Sequence, residues 1–429
     1  MQEPNTRRDS LILTLNQPDL RDVLPKSPGF KEKVRIHRRC STLLEKNSWQ
    51  QYFTPIGTKS INQEVDDNVP FIDNIDWADL TIQGHLADGA MCRVYSAVYN
   101  GTECVVKTPL PEEFRYEGQG YDEIEKHLED ELEVLRMVNH PNCIRCYGTG
   151  RMEDGSRFIV LEKLQKMLID AIGSRYQGKY NSGSKPMKYN TIDAVKWALE
   201  LAQVLAYFND TAVPFSIILH RDLKTENVGF GYDGRVKLLD LGLSKVVNRR
   251  FRSQSSHFQM SGGIGSLRYM APEVVNCKPY NEKADVYSFA MVFWETLSRK
   301  EPYGKMDYDE FMTNAIEKGN RPALNRKWPF AIQKLLDLCW AAEMDERPAF
   351  REIVGHLEGV LVDEIHRIQL EAQAPPMSFS QKLRSAFGCM SIASKAISDP
   401  MENSKTKVRP QWTEEEKLEE RRRNSGQDT

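Results

Sequence analysis

Long apolar runs are missing from this 429-residue chain. No stretch approaches the roughly 18 residues that a bilayer span needs. The N-terminal apolar segment 11–15 is too short for the core of a secretory signal peptide. A secreted or membrane-spanning protein is disfavoured, and a cytoplasmic location, with the nucleus also open, is expected. An excess of one charge is missing too: 58 Lys+Arg stand against 61 Asp+Glu, a net charge of −3. The whole chain therefore has no electrostatic argument for nucleic acid or bulk membrane binding. Paired cysteines are scarce: the 8 are scattered singly apart from Cys143 and Cys146. A CxxC can be half of a zinc site or a redox pair, but no second pair follows at suitable spacing. Two strand cysteines in a reducing compartment are the plainer reading. No internal repeat is visible.

What is there has an uneven distribution. Hydrophobic residues make up 40% and charged residues 28%, against about 45–50% and 25% in ordinary domains. A globular core with polar extensions fits these values. Residues 1–78 lack sustained periodicity, contain the basic run 26–39, and read as a mostly disordered extension. From about Trp77, short β-prone runs are separated by Asp88-Gly89 and Asn100-Gly101, which predicts three antiparallel strands joined by tight hairpins. A helix over about 121–139 is stopped by His140-Pro141. Strand-like runs at 143–147 and 157–161 follow. A Gly/Ser-rich insert spans 173–190, and Thr191 can cap a helix to about Phe208. Asp233-Gly234 marks another hairpin. Helices are expected at about 284–299, 308–318, 330–340 and 349–372, and a tail follows residue 375.

One carboxylate is out of place. At about 100° per residue, Ile124, Leu128, Leu135 and Val138 of the first long helix form one stripe, and Glu131 falls at about −20°, inside it. A carboxylate facing a core is costly unless paired.

Three ordered motifs carry chemistry: His220-Arg221-Asp222-Leu223-Lys224-Thr225-Glu226-Asn227, then Asp240-Leu241-Gly242, then Ala271-Pro272-Glu273. This order and spacing resembles the catalytic core of the eukaryotic protein kinases, H-R-D-L-x-x-x-N, D-F-G and A-P-E. Lys224 and the segment Gly265-Ser266-Leu267-Arg268-Tyr269 resemble the serine/threonine type, and Cys339-Trp340 before Arg347-Pro348 resembles the tyrosine-kinase-like group. The resemblance covers about residues 79–362. It implies an α+β, two-lobed kinase fold: an N-lobe over about 79–162, with an antiparallel five-stranded sheet and one helix, and a mainly helical C-lobe over about 165–362. Residues 363–429 are left as a helix end and a mostly disordered tail.

The resemblance also implies roles. Asp222 would accept the hydroxyl proton, with Lys224 near the transferred phosphate. Asn227 and Asp240 would hold Mg²⁺, which favours hard oxygen donors. Lys107, ending the strand Cys104-Val105-Val106-Lys107, would supply the partner of Glu131 and hold the phosphates of ATP. Glu273 would pair with Arg347, and Asp285 would brace the catalytic loop. Leu86-Ala87-Asp88-Gly89-Ala90-Met91-Cys92-Arg93-Val94 aligns with the phosphate-covering loop, but only Gly89 of the usual three glycines remains. Ala87 and Cys92 add Cβ atoms, Asp88 adds negative charge, and Cys92 is either a reactive thiol over the nucleotide or a tolerated small residue. By the same resemblance Val105 would lie above the adenine and Gly229 below it. Leu161 aligns with the gatekeeper position, before residues Glu162, Lys163 and Leu164 that would form the hinge.

An ATP-dependent kinase acting on serine or threonine of protein substrates is the expected function, with dual specificity open and no nucleic acid partner. A nucleotide-binding pseudokinase scaffold is the alternative, motivated by the altered loop. Activation-segment phosphorylation is expected to regulate it through Arg221 and Ser253, Ser255, Ser256 or Ser261, with Ser266 counted among the regulatory positions. An upstream kinase is a candidate partner, and three Arg-Arg-x-Ser sequences end at Ser10, Ser41 and Ser425. The segment 377–397 has apolar residues at near-helical spacing with Lys382, Arg384 and Lys395 and no acid, so a membrane surface or a partner groove is its functional reading, and docking on its own C-lobe or disorder its bland one.

Overall fold

Alternation at every second residue builds the first sheet of the computed structural model. In β6 (Arg157–Glu162), Phe158 and Val160 enter one apolar cluster with Cys104 and Val106 of β4 (Thr102–Pro109). Ile159 and Leu161 enter the larger cluster on the other face. Such two-sided burial is what a sheet covered on both faces requires. The structure describes residues 71–114, 120–173, 185–249 and 257–373. The extension up to residue 70, most of the Gly/Ser-rich insert, Ser253, Ser255, Ser256, the segment 377–397 and the three Arg-Arg-x-Ser sequences lie outside them. The chain divides into a compact unit up to Arg367, which holds all the strands of the described residues, and a second from Ile368.

The hairpins form where Asp-Gly and Asn-Gly stand. β2 (Leu80–Asp88) pairs with β3 (Cys92–Tyr99), and β3 with β4, all antiparallel. Asn100 and Gly101 both have positive φ, 49° and 79°, as a tight hairpin of matching twist demands. β5 (Cys146–Arg151) begins later than expected, and Cys143 makes only an isolated bridge to Leu238. The sheet order is β1-β5-β6-β4-β3-β2. Six strands replace the expected antiparallel five: β1 (Ile72–Asp76) precedes residue 79 and runs parallel to β5. Its sequence IDNID buries only Ile75, so it lacks the alternation by which a strand is recognised.

Against this sheet lies α1 (Tyr121–Met137), whose buried face is Ile124, Leu128, Glu131, Leu132, Val134 and Leu135. The rest is mainly helical: α2 (Leu168–Ile172), α3 (Thr191–Asp210), α4 (Pro272–Val275), α5 (Lys283–Ser298), α6 (Tyr308–Phe311), α7 (Phe330–Cys339) and α8 (Phe350–Gln373). Asn190, not Thr191, caps α3, in a reciprocal capping box with Asp193. β7 (Lys166–Met167), β9 (Val228–Phe230) and β10 (Val236–Leu238) form a small sheet, and β8 (Ser216–Leu219) pairs with β11 (Lys245–Asn248). α5 is buried on nearly all sides and forms the helical core. Among the described residues, no helix is long and apolar enough to cross a membrane.

Candidate active site

The out-of-place carboxylate has its partner. Glu131 is 1% exposed, and Lys107 Nζ donates to its Oε2 at 2.6 Å and to Asp240 Oδ1 at 2.9 Å. Burial works against the lysine charge, but Asp240 and Glu131 raise its pKa well above the usual lysine value. The same ammonium holds the Asp240 carboxyl far below the ordinary carboxylate range. Glu131 is pushed up by burial, against the opposing pull of Lys107. His127, Glu131 and Asp240 bring ligand atoms within 4.8 Å of one another. Lys107 already bridges the two carboxylates, so the cation of this cluster is the lysine.

The segment 220–227 is held by its backbone. Asp285, in the first turn of α5, accepts from His220 N at 2.7 Å and Arg221 N at 2.9 Å. His220 Nε2 donates to Leu239 O at 3.1 Å, a tautomer inferred from its carbonyl partner. Arg221 and Asp240 sit in left-handed backbone, φ 66° and 62°. Such strain persists only where the surroundings over-determine it.

These bonds present Asp222, which is 8% exposed. Its Oδ2 accepts from Lys224 Nζ at 2.8 Å and Asn227 Nδ2 at 3.0 Å, and its Oδ1 accepts from Ser266 Oγ at 2.9 Å. Lys224 also donates to Ser266 Oγ at 3.0 Å. Asn227 Nδ2 also donates to Asp222 O at 2.8 Å. Asn227 thus spends its NH₂ on Asp222, and it is its Oδ1 that a cation would meet. With the Asp240 carboxylate this is a hard-oxygen donor set, which fits Mg²⁺. Leu241 is fully buried in the main core. Arg347 grips Glu273 in two bonds, 2.6 and 3.0 Å.

The altered loop resolves differently at each position. Leu86 is 52% exposed, and Ala87, Asp88, Gly89 and Ala90 are exposed with it. Gly89 N donates to Cys92 O at 2.7 Å, which closes the turn. Asp88 meets Arg93 across the hairpin, with bonds of 2.7 and 3.0 Å, and His85 at 2.9 Å. The Arg93 contact lowers the Asp88 carboxyl to about 2, so its charge is permanent at neutral pH and locally balanced. Cys92 is buried, and burial pushes its thiol up to about 12. That is a core residue and not a reactive thiol. Val94 and Val105 are half-buried.

The hinge contributes in ways the sequence reading did not find. Glu162 gives its carboxylate to Lys237 at 3.1 Å and to Arg145 N at 3.2 Å, so what it can offer a ligand is main chain. A Cβ placed on Gly229 would lie 2.6 Å from Leu164 Cδ1 and 3.3 Å from Met167 Sδ. The leucine fills the space that a side chain at 229 would take. Arg221 Nε donates to Leu243 O at 2.6 Å, and Nη1 reaches Tyr280 Oη at 3.5 Å. Arg249 is held by Asp210 at 3.3 Å. Ser261 is exposed, and its carbonyl accepts from Tyr280 Oη at 3.0 Å.

The family model described as protein tyrosine and serine/threonine kinase matches residues 80–357. The RGS domain-containing serine/threonine-protein kinase A of Dictyostelium discoideum is 26% identical over 71% of the chain. Mitogen-activated protein kinase kinase kinase 7 of Drosophila melanogaster is 29% identical over 67%, and the dual specificity protein kinase shkE of Dictyostelium discoideum 30% over 65%. The chain spans 24%, 38% and 36% of the length of these relatives.

Proposed function

Because the chain belongs to the protein tyrosine and serine/threonine kinase family, we propose that it transfers the γ-phosphate of ATP to serine or threonine hydroxyls of protein substrates. The observation that carries this reading is the assembled set of Lys107, Glu131 and Asp240 beside Asp222, Lys224 and Asn227. Phosphoryl transfer asks a protein mainly for positioning and charge neutralisation. Lys107, fixed by Glu131, orients the phosphates. Asp222, with one oxygen on Lys224 and the other on Ser266, orients the acceptor hydroxyl and takes its proton. Lys224 balances the charge beside that oxygen. Mg²⁺, when bound through Asn227 and Asp240, supplies the remaining neutralisation.

Ser266 and Lys224 together favour serine and threonine acceptors, and shkE, named a dual specificity kinase, keeps tyrosine within the tested set. The scaffold alternative drew its support from Ala87, Asp88 and Cys92; of these, Asp88 has its charge balanced by Arg93, and Cys92 is buried. A cytoplasmic site of action and regulation by an upstream kinase belong to the same reading. Ser261, which is exposed, is a candidate phosphate acceptor, as are Ser253, Ser255 and Ser256. A phosphate at Ser266 would instead displace the contact with Asp222.

The test is ATP-dependent phosphorylation of a generic protein substrate by the purified chain, before and after phosphatase treatment. Asp222→Ala is expected to lower kcat by about a hundred- to ten-thousandfold with folding intact. Normal turnover by that variant would remove the assignment.

A further inference from the structure

We propose that β1, with Arg136 of α1, is a positioning element for the kinase reaction: docked on the sheet edge, it fixes the end of α1 and so holds Glu131 on Lys107. The inference rests on the kinase reading and adds a part to it.

β1 is the one parallel strand of its sheet, placed at the outer edge beside β5. Ile72 lies opposite Gly148, Ile75 opposite Gly150 and Asp76 opposite Arg151. A Cβ on Gly148 would lie 2.2 Å from Ile72 O and 2.9 Å from Ile75 Cδ1, and the third atom it would approach is also in Ile72. One on Gly150 would lie 2.1 Å from Ile75 O and 2.4 Å from Phe158 Cζ. The two glycines of β5 therefore make the close approach of β1 sterically feasible, and at Gly148 the three nearest atoms all belong to β1. Ile75 completes the apolar cluster of Leu80, Ala97, Cys104, Val106, Phe158 and Val160, and Trp77 packs edge-on against Phe158 at 5.1 Å.

The strand also reaches the helix. Arg136 donates to Asp73, and its guanidinium lies 4.9 Å from the centre of the Phe71 ring. Arg136 follows Glu131 by five residues, about 140° around the helix and about 7.5 Å along it. α1 is thus gripped on two sides: by Lys107 of β4 through Glu131, and by β1 through Arg136. The other ties from the sheet, Arg151 to Glu125 at 3.0 Å and Arg157 to Glu129 at 3.3 Å, come from β5 and β6 and engage earlier turns. Among the ion pairs of the described residues that tie α1 to this sheet, the one to β1 engages the turn that follows Glu131, whose Leu132, Val134 and Leu135 also pack in the core. An exposed ion pair contributes little alone, so the paired strand supplies most of the hold and Arg136 transmits it.

The experiment uses the full chain and Gly148→Ala, whose added methyl would lie nearest to Ile72 and Ile75 of β1. Because Gly148 has a φ of 159°, where a side chain also strains β5, the Asp73 and Arg136 variants are measured in parallel. Peptide phosphorylation at saturating ATP and amide hydrogen exchange are read together. Residues 72–76 are expected to lose protection and 131–137 to exchange faster. kcat should fall about five- to twentyfold, more than KM for ATP rises, as expected when a positioned group is displaced. A kcat within twofold of the parent overturns the proposal. Should the variant fail to fold, the surface pair decides. Asp73→Arg and Arg136→Asp singly lower kcat about two- to fourfold and together restore it. A double variant no better than the singles, or singles without effect, overturns it. A parent chain that phosphorylates nothing defeats the kinase reading instead, and exchange of α1 in Gly148→Ala then still decides the coupling.

Discussion

Two arginine–carboxylate pairs, one beside the nucleotide loop and one in the helical lobe, share a geometry and differ in surroundings. Arg93 holds Asp88 with bonds of 2.7 and 3.0 Å, and Arg347 holds Glu273 with bonds of 2.6 and 3.0 Å. The side chains of Arg347 and Glu273 are 0% and 11% exposed, those of Arg93 and Asp88 15% and 32%. Arg347 also donates to Ala341 O and Lys283 O, each at 3.0 Å, and so joins α4, α5 and the turn before α8. The two-bond fork is the same interaction in both places. Burial decides whether it anchors the fold or only balances a charge that would face a ligand.

The sharpest way to break this comparison is to remove one carboxylate from each pair. Glu273→Ala leaves an uncompensated guanidinium in the core, which costs about 3–5 kcal/mol. For a domain of this size that is about ten degrees in Tm. A thermal melt checks it, and a loss under two degrees would mean that the backbone acceptors alone satisfy Arg347.

The residues of the proposed catalytic set could be named from the sequence, because they lie in ordered local motifs and because Glu131 interrupts an apolar stripe, where its partner in the structure is Lys107. What was not legible depends on contacts between distant segments. β1 shows no alternation, and its signature is two glycines that stand more than 70 residues downstream. Balancing of Asp88 follows once the hairpin register puts it opposite Arg93, but the sequence alone left it as a charge near a phosphate. Cys92 looked like a loop residue because it occupies a glycine position of the family pattern. The turn closes before it, so it starts β3 and faces the core. The hinge leucine beneath Gly229 joins residues 65 positions apart in sequence.

Between the two extremes lies a group buried by half and without a carboxylate. His140 stacks on Tyr207 at 5.1 Å, and its Nδ1 accepts from Asn142 N at 3.1 Å. Burial, and then the charges of Lys237 and Arg235, lower it from 6.5 to about 4. Below pH 6.5 the unfolded chain binds a proton that the folded chain refuses. The contribution is therefore complete above that pH and is lost as the pH falls toward 4. Discounted for partial exposure, the loss amounts to about 1–2 kcal/mol. Urea midpoints measured from pH 7 to pH 4.5 should fall in the parent and fall less in His140→Gln. Equal slopes would show that burial at this position does not govern its proton.

The smallest effect on stability belongs to the exposed pair, and there the comparison predicts a ligand effect instead. Removing Asp88 should leave Tm within about one degree, because exposed pairs contribute little. The Asp88 carboxyl, lowered to about 2, supports folding above its unfolded value of 3.8 and loses that role as the pH falls through 2. Its titration is therefore silent near neutrality. Charge at the loop is another matter. Asp88→Ala leaves Arg93 uncompensated beside the proposed phosphate site, while Arg93→Ala leaves Asp88. ATP binding should tighten about twofold in the first and weaken about twofold in the second, and both shifts should shrink as salt shortens the screening length. Titration with Mg·ATP at low and high salt measures this. Shifts of the same sign in the two variants would mean that the pair acts on loop shape, and the contrast with Arg347–Glu273 would then be one of degree.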